Sequence, residues 1–140
     1  PSPTRRLFFF KQKTLNDLMP SVLGAEMCIR FRLNPVLKNI FDRERPTLLR
    51  LIDISGFSFP SGHAMGATSY FGSIIYILNR HDSGISKGVL IGLSALFILL
   101  ISTSRVYLGV HYPTDIIAGI IGGAFCIVLS TLILKKQLAI

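Results

Sequence analysis

Three long stretches of the chain carry no Asp, Glu, Lys or Arg: Ile54 to Asn79, Gly88 to Ser104 and Ile116 to Leu134. A helix needs roughly 20 apolar residues to cross a bilayer core of about 30 Å. The third stretch has that length, and the second reaches it by borrowing a residue or two at each end. In the first, Pro60 and Gly62 predict a loop to about residue 61 and a helix from there to Asn79. The connection from Arg80 to Lys87 is polar and holds Gly84, as a turn between antiparallel helices should. The expected fold class is all-α: an integral-membrane helical bundle with transmembrane helices over about 62–79, 87–104 and 114–134. The pairs Gly62/Gly66, Gly88/Gly92 and Gly119/Gly123 have the spacing of helices that pack closely in lipid. A soluble, buried helical hairpin is the weaker alternative, because three charge-free stretches are crowded into so short a chain.

Composition supports the membrane reading. Of 140 residues half are hydrophobic and only 16% are charged, where an ordinary soluble domain carries about a quarter. The net charge of +8 is uneven: residues 1–50 hold ten Lys/Arg and four Asp/Glu, the remaining residues five and three. A pI near 10 admits nucleic acid as a partner, but the basic residues are scattered and no nucleic-acid motif is present. A membrane surface or an anionic substrate explains the charge better. Cys28 and Cys126 are too few for a disulfide framework and have no ligand-like spacing. Cys126 sits in an apolar run and reads as a small packing residue.

Arg80, Lys87, Lys135 and Lys136 fall at helix ends on one side of the membrane, which the positive-inside rule makes cytoplasmic. The start of the first helix, the end of the second and the start of the third then share the external side. Those three places hold His63, Arg105, and His111 with Asp115. Singly, each has an ordinary explanation: a helix-start histidine is usually a cap or interface residue, an Arg at a membrane helix end usually an anchor, and an Asp in a first helical turn suits the dipole. Together they gather two imidazoles, a guanidinium and a carboxylate on one face, which favours a functional site.

The preceding segment adds Lys38, Arg43, Arg45 and Arg50, partly neutralised by Asp42 and Glu44, and otherwise readable as a solvated interfacial stretch. It runs on into Phe59-Pro60-Ser61-Gly62-His63, where Gly allows close backbone approach and helix-start N–H groups favour an anion such as phosphate. An imidazole in such a site can act as nucleophile or general acid. Two His and one Asp could form a ligand set, but the surrounding Lys and Arg would repel a cation, so neither a metal nor another cofactor is expected. P-loop, nucleophile-elbow and HExxH patterns are absent.

Lys38-x6-Arg45-Pro46, Pro60-Ser61-Gly62-His63 and Ser104-Arg105-x5-His111-x3-Asp115 resemble the three-part signature of the type-2 phosphatidic acid phosphatase superfamily. The resemblance covers roughly residue 33 to the C-terminus, and the apolar stretches favour its membrane lipid phosphatase branch over the soluble acid phosphatases and haloperoxidases. It implies metal-independent, two-step hydrolysis of a lipid phosphate or pyrophosphate. His111 would form a phosphohistidine, Asp115 would orient its ring, and His63 would protonate the leaving oxygen and then activate water. Lys38, Arg45, Ser61, Gly62 and Arg105 would bind the phosphate oxygens. Arg43 and Arg50 match no signature position and receive no role.

The family's lipid phosphatases place the site on the external face, which fits a bacterial cytoplasmic membrane protein. Phosphatidic acid, phosphatidylglycerophosphate and undecaprenyl pyrophosphate are the candidate substrates, and membrane lipids the other expected partners; nothing separates the substrates or sets the oligomeric state. Two alternatives remain: phosphoryl or head-group transfer at the same site, and a non-enzymatic anion-transporting bundle. Residues 1–32 fit the rest poorly. FFFKQKT and GAEMCIR resemble a translated sequencing adaptor, so this segment is expected to be non-native or disordered, with a juxtamembrane amphipathic helix as the alternative. Residues 33–140 would then be the C-terminal part of the domain, keeping three spans of a six-span parent.

Overall fold

The computed structural model describes residues 24, 27, 29–47, 50–80 and 86–138, all helix or irregular chain without a strand among them. Most of the adaptor-like segment and the turn centred on Gly84 lie outside the described residues. Residues 29–41 form helix α1; α2 spans Gly62–Arg80, α3 Ser86–Tyr107 and α4 Pro113–Leu138. The three expected helices are thus present, with α3 and α4 each running a few residues further than the charge pattern indicates.

Local chemistry sets the boundaries that matter. Asp42 closes α1 with a left-handed φ of 47°, a conformation Asp tolerates better than most side chains. Ser61 caps α2: its Oγ accepts the Ala64 N–H at 3.4 Å and its carbonyl the Met65 N–H at 3.0 Å. At the end of α3 the Val110 N–H reaches back to the Arg105 carbonyl and the Gly109 N–H to that of Val106. With Gly109 at φ 67° this is a Schellman motif, which needs a residue free of the left-handed penalty at that point. Pro113 then opens α4, the position where its missing N–H costs nothing.

Helix α2 is the centre of the bundle: it packs along both α3 and α4, which barely touch one another. Gly119 and Gly123 let α4 come so close that a Cβ on either would lie 2.7 Å from a backbone carbonyl of α2, Ser61 or Met65. Among the described residues nothing packs against the expected close pair at Gly88/Gly92. Both glycines meet open space, because α3 turns Ser94 and Ser102 toward protein instead.

The interior is small and hydroxylated, with Ala64, Ala67, Ser69, Ser73, Ser102, Cys126 and Ser130 buried. Large apolar side chains face outward, among them Leu93, Leu96 and Leu100 of α3 and Ile117, Ile121 and Phe125 of α4. Water-soluble domains have the opposite arrangement, whereas helices packed in lipid are built this way. Lys87–Tyr107 and Pro113–Ile133, 21 residues each, are long and apolar enough to cross a membrane, about 31 Å at 1.5 Å per residue. Helix α2 has 19 residues but is not apolar enough to meet the same test. Flanked by protein on two sides, it does not need an apolar surface all round.

Candidate active site

The helix ends described above converge on a cavity of 690 Å³, the size of a small-molecule site. Lys38, Arg45, Gly62, His63, Arg105 and His111 line its polar end. The loop from Arg43 to Ser61 is fastened over it, with the Ser58 N–H donating to the Arg43 carbonyl at 2.8 Å and Ser58 Oγ to that of Glu44 at 3.1 Å. Phe41 packs edge-on against Phe59, 4.7 Å between ring centres, tying the end of α1 to the same loop.

His111 follows the Schellman motif of α3 immediately, which explains why six positions separate it from Arg105 in the last turn of that helix. Its ring is buried, with Nδ1 3.5 Å from Asp115 Oδ2 and Nε2 3.5 Å from Arg45 Nη1. At that distance Nδ1 makes no hydrogen bond, only an ion-pair approach to the carboxylate. Asp115 is wholly buried in the first turn of α4. Its Oδ2 accepts the Tyr112 N–H at 2.9 Å, half of a capping box, and its carbonyl accepts the Ser61 N–H at 3.0 Å. One residue therefore caps α4, bridges to the start of α2 and faces the histidine.

Burial, and next the positive charge of Arg45, push the His111 pKa down to about 4 against the opposing pull of Asp115. The ring is accordingly neutral at pH 7, with a nitrogen lone pair available. Arg45 is buried and braces the loops, donating to the carbonyls of Gly56 at 2.8 Å and Val110 at 3.1 Å. Lys38 donates to the Phe57 carbonyl at 3.1 Å, and burial followed by Arg45 lowers its pKa. Arg105 leaves its buried Nε without a hydrogen-bond partner beside the cavity. His63 is exposed at the cavity wall one residue into α2. All the expected site residues but Ser61 and Asp115 line this one space, and those two stand directly behind it.

Four contributors escaped the sequence reading, one of them Arg30, which lines the cavity from α1 and packs against Gly66. Arg43 Nη1 donates to Thr114 Oγ1 at 2.8 Å and to Asp115 Oδ1 at 2.9 Å. No local pattern in the sequence marked it, because its partners lie 71 and 72 positions away. Asn34 stands against Gly62, and the ring of Tyr112 lies 4.3 Å under the Arg43 guanidinium; neither had a sequence signal.

A profile of the PAP2 superfamily matches residues 19–138. Phosphatidylglycerophosphatase B of Bacillus subtilis is 37% identical over 115 residues, 81% of this chain and 55% of that protein. An undecaprenyl-diphosphatase of Sulfolobus acidocaldarius is 36% identical over 90 residues, 64% of this chain and 40% of that one. The chain thus spans only about half the length of these curated relatives. Among solved structures, a transmembrane PAP2-type phosphatidylglycerolphosphate phosphatase from Bacillus subtilis superposes with a TM-score of 0.69 at 34% identity, covering 94% of this chain and 65% of that one. With the signature residues gathered on one cavity and the family profile covering most of its length, the chain belongs to the PAP2 superfamily.

Proposed function

We propose that this protein hydrolyses the phosphate of a lipid phosphate or diphosphate through a phosphohistidine on His111, without a metal. The observation that carries the reading is the orientation of the buried His111 ring: Nδ1 toward Asp115, Nε2 toward Arg45 and the cavity. With a proton on Nδ1, Nε2 presents its lone pair beside a cation suited to a phosphate oxygen.

In the first step Nε2 attacks phosphorus in line, the P–O bond to the lipid breaks, and His63 delivers a proton to the leaving oxygen. Asp115 stabilises the positive charge that grows on the ring. In the second step His63 takes a proton from water as the water oxygen attacks the phosphohistidine, releasing inorganic phosphate and restoring both rings. Lys38, Arg45 and Arg105, with the Gly62 N–H, hold the non-bridging oxygens, whose charge changes most in the transition state, and Ser61, buried behind the cavity, caps the helix that presents that N–H.

Relatives named for phosphatidylglycerophosphate and undecaprenyl diphosphate support an amphiphilic substrate. So do the apolar residues that continue the cavity along α2 and α3, Tyr70, Phe71 and Ile101. We read α2, α3 and α4 as three spans of a bacterial cytoplasmic membrane protein, residues 33–140 as the C-terminal part of a six-span PAP2 domain, and the site as external. The positions of Lys87 and of Lys135–Lys136 at the opposite helix ends support that orientation. Residues 29–32, at the end of the segment expected to be non-native or disordered, belong to α1, and the family profile already matches from residue 19.

The test is phosphate release from phosphatidic acid and undecaprenyl pyrophosphate in detergent micelles with excess chelator, beside His111→Ala. Release abolished by the substitution supports the reading. Release that requires a divalent metal, or that survives the substitution, overturns it.

A further inference from the structure

Arg43 lies in the unspecified part of the Lys38-x6-Arg45 signature, and it does not line the cavity. Yet its guanidinium makes the shortest ion pair among the described residues, 2.9 Å to Asp115 Oδ1. The carboxylate is fully buried while the Arg43 side chain is 40% exposed. The same Nη1 spends its second hydrogen on Thr114 Oγ1, at 2.8 Å. The guanidinium rests on the Tyr112 ring, and the Arg43 carbonyl is pinned by the Ser58 N–H. Arg43 is therefore fixed at its backbone, on its face and at its tip.

We propose that Arg43 is a positioning residue for the reacting histidine: by engaging Oδ1 of Asp115 it commits Oδ2 to the Tyr112 N–H and to His111 Nδ1. This rests on the reading of His111 as the nucleophile. A buried carboxylate needs a partner for each oxygen. Without Arg43, Oδ1 loses its cation and the carboxylate is free to turn, so the tautomer of His111 is no longer enforced. A lysine at this place supplies charge but neither the flat face against Tyr112 nor a fork of fixed geometry. Because Arg43 stands behind the cavity and not in it, its removal acts on the rate of the chemical step and leaves substrate affinity alone.

The experiment uses the full 140-residue chain in micelles, comparing wild type, Arg43→Ala, Arg43→Gln and Arg43→Lys. Arg50→Ala serves as control, since among the described residues Arg50 pairs with a fully exposed Asp53 at 3.6 Å and donates to the Pro46 carbonyl at 3.2 Å, and no contact joins it to Asp115 or His111. Expected is a fall in kcat of about 10- to 100-fold with KM within about threefold, the scale of residues that orient a reacting group. Millimolar guanidinium should restore much of the rate to Arg43→Ala and none to Arg43→Lys, whose side chain fills the space.

The second readout is independent of turnover: 15N spectra of histidine-labelled protein, with His111 assigned by difference from His111→Gln. The wild type should show one neutral tautomer protonated on Nδ1, Arg43→Ala a mixture, and guanidinium should restore the single form. Arg43→Gln covers the case in which the alanine variant does not fold. An unchanged tautomer in the variants overturns the proposal, as does a lost rate that guanidinium cannot recover. If the wild type releases no phosphate, the hydrolase reading fails by itself, and the spectra alone decide whether Arg43 sets the ring.

Discussion

Replacing Gly119 by alanine inserts a single methyl group where the two halves of the site meet. The new Cβ would lie 2.7 Å from the Ser61 carbonyl oxygen, 3.0 Å from Ala64 Cβ and 3.1 Å from the Met65 nitrogen. Two of the three are backbone atoms at the rigid start of α2, so no flexible side chain can swing away. Restoring ordinary contact requires α2 and α4 to part by about 0.7 Å, an overpacking strain worth about 1–3 kcal/mol. The same movement stretches the 3.0 Å bond from the Ser61 N–H to the Asp115 carbonyl and carries His63 away from His111. Misplacing reacting groups by about 1 Å costs about 100-fold in rate, so a fall in kcat of about 10- to 50-fold is expected. The assay is phosphate release alongside the thermal midpoint, with Gly92→Ala as control. Gly92 meets open space, so its alanine variant should keep full activity and gain about 0.5–1 kcal/mol from helix propensity. A Gly119→Ala protein as stable and as fast as wild type would refute the close α2–α4 approach as the device that sets the site.

Asp115→Asn is expected to lower kcat by about 1,000- to 10,000-fold, the cost of fixing the wrong histidine tautomer. An amide cannot accept from Arg43 on one side and from both Tyr112 and His111 on the other, since one of its faces is a donor. The His111 pKa of about 4 lies below the ordinary 6.5, so the unfolded chain takes up the proton first. Its contribution to stability is therefore complete above about pH 6.5 and is lost as pH falls toward 4. Thermal midpoints of wild type should drop more steeply over that window than those of His111→Gln; equal slopes would refute the assigned shift. Rapid acid-quench labelling with a 32P-labelled substrate should trap phosphohistidine in wild type and none in His111→Ala; a trapped phosphoserine or no trapped protein would argue against His111 as nucleophile. Gly109→Ala forces a left-handed alanine at φ 67° beside His111, expected to cost about 1 kcal/mol and part of kcat, both read from the same two assays.

How far the sequence carried the structure depends on what fixes each residue. His63, Arg105, His111 and Asp115 were legible because they sit at helix ends, and charge-free stretches mark helix ends clearly. The single turn linking Arg105 to His111 is written in Gly109, whose left-handed geometry completes the Schellman motif. Arg43 was not legible, because its importance comes from a contact with residues 71 and 72 positions away, which no local pattern encodes. The Gly88/Gly92 pair misled for a related reason: spacing marks a flat helix face but does not say which neighbour, if any, lies against it. Helices α3 and α4 are apolar enough to cross a membrane and α2 is not, because a helix packed by protein on two sides trades Leu and Ile for Ser, Thr and Ala.

Helix α4 reads as two interleaved combs. Ile116, Gly119, Gly123, Cys126 and Ser130 point into the protein, while Ile117, Ile121, Phe125, Val128 and Leu132 point away. The inner teeth are limited by volume, since a methyl group already collides at Gly119 and Gly123. The outer teeth are limited only by their preference for hydrocarbon, and any bulky apolar residue serves. Exhaustive substitution along this helix would therefore produce a tolerance profile that alternates every three or four residues between two unrelated rules. A sequence drifting under selection would keep the first comb nearly letter for letter and reshuffle the second freely.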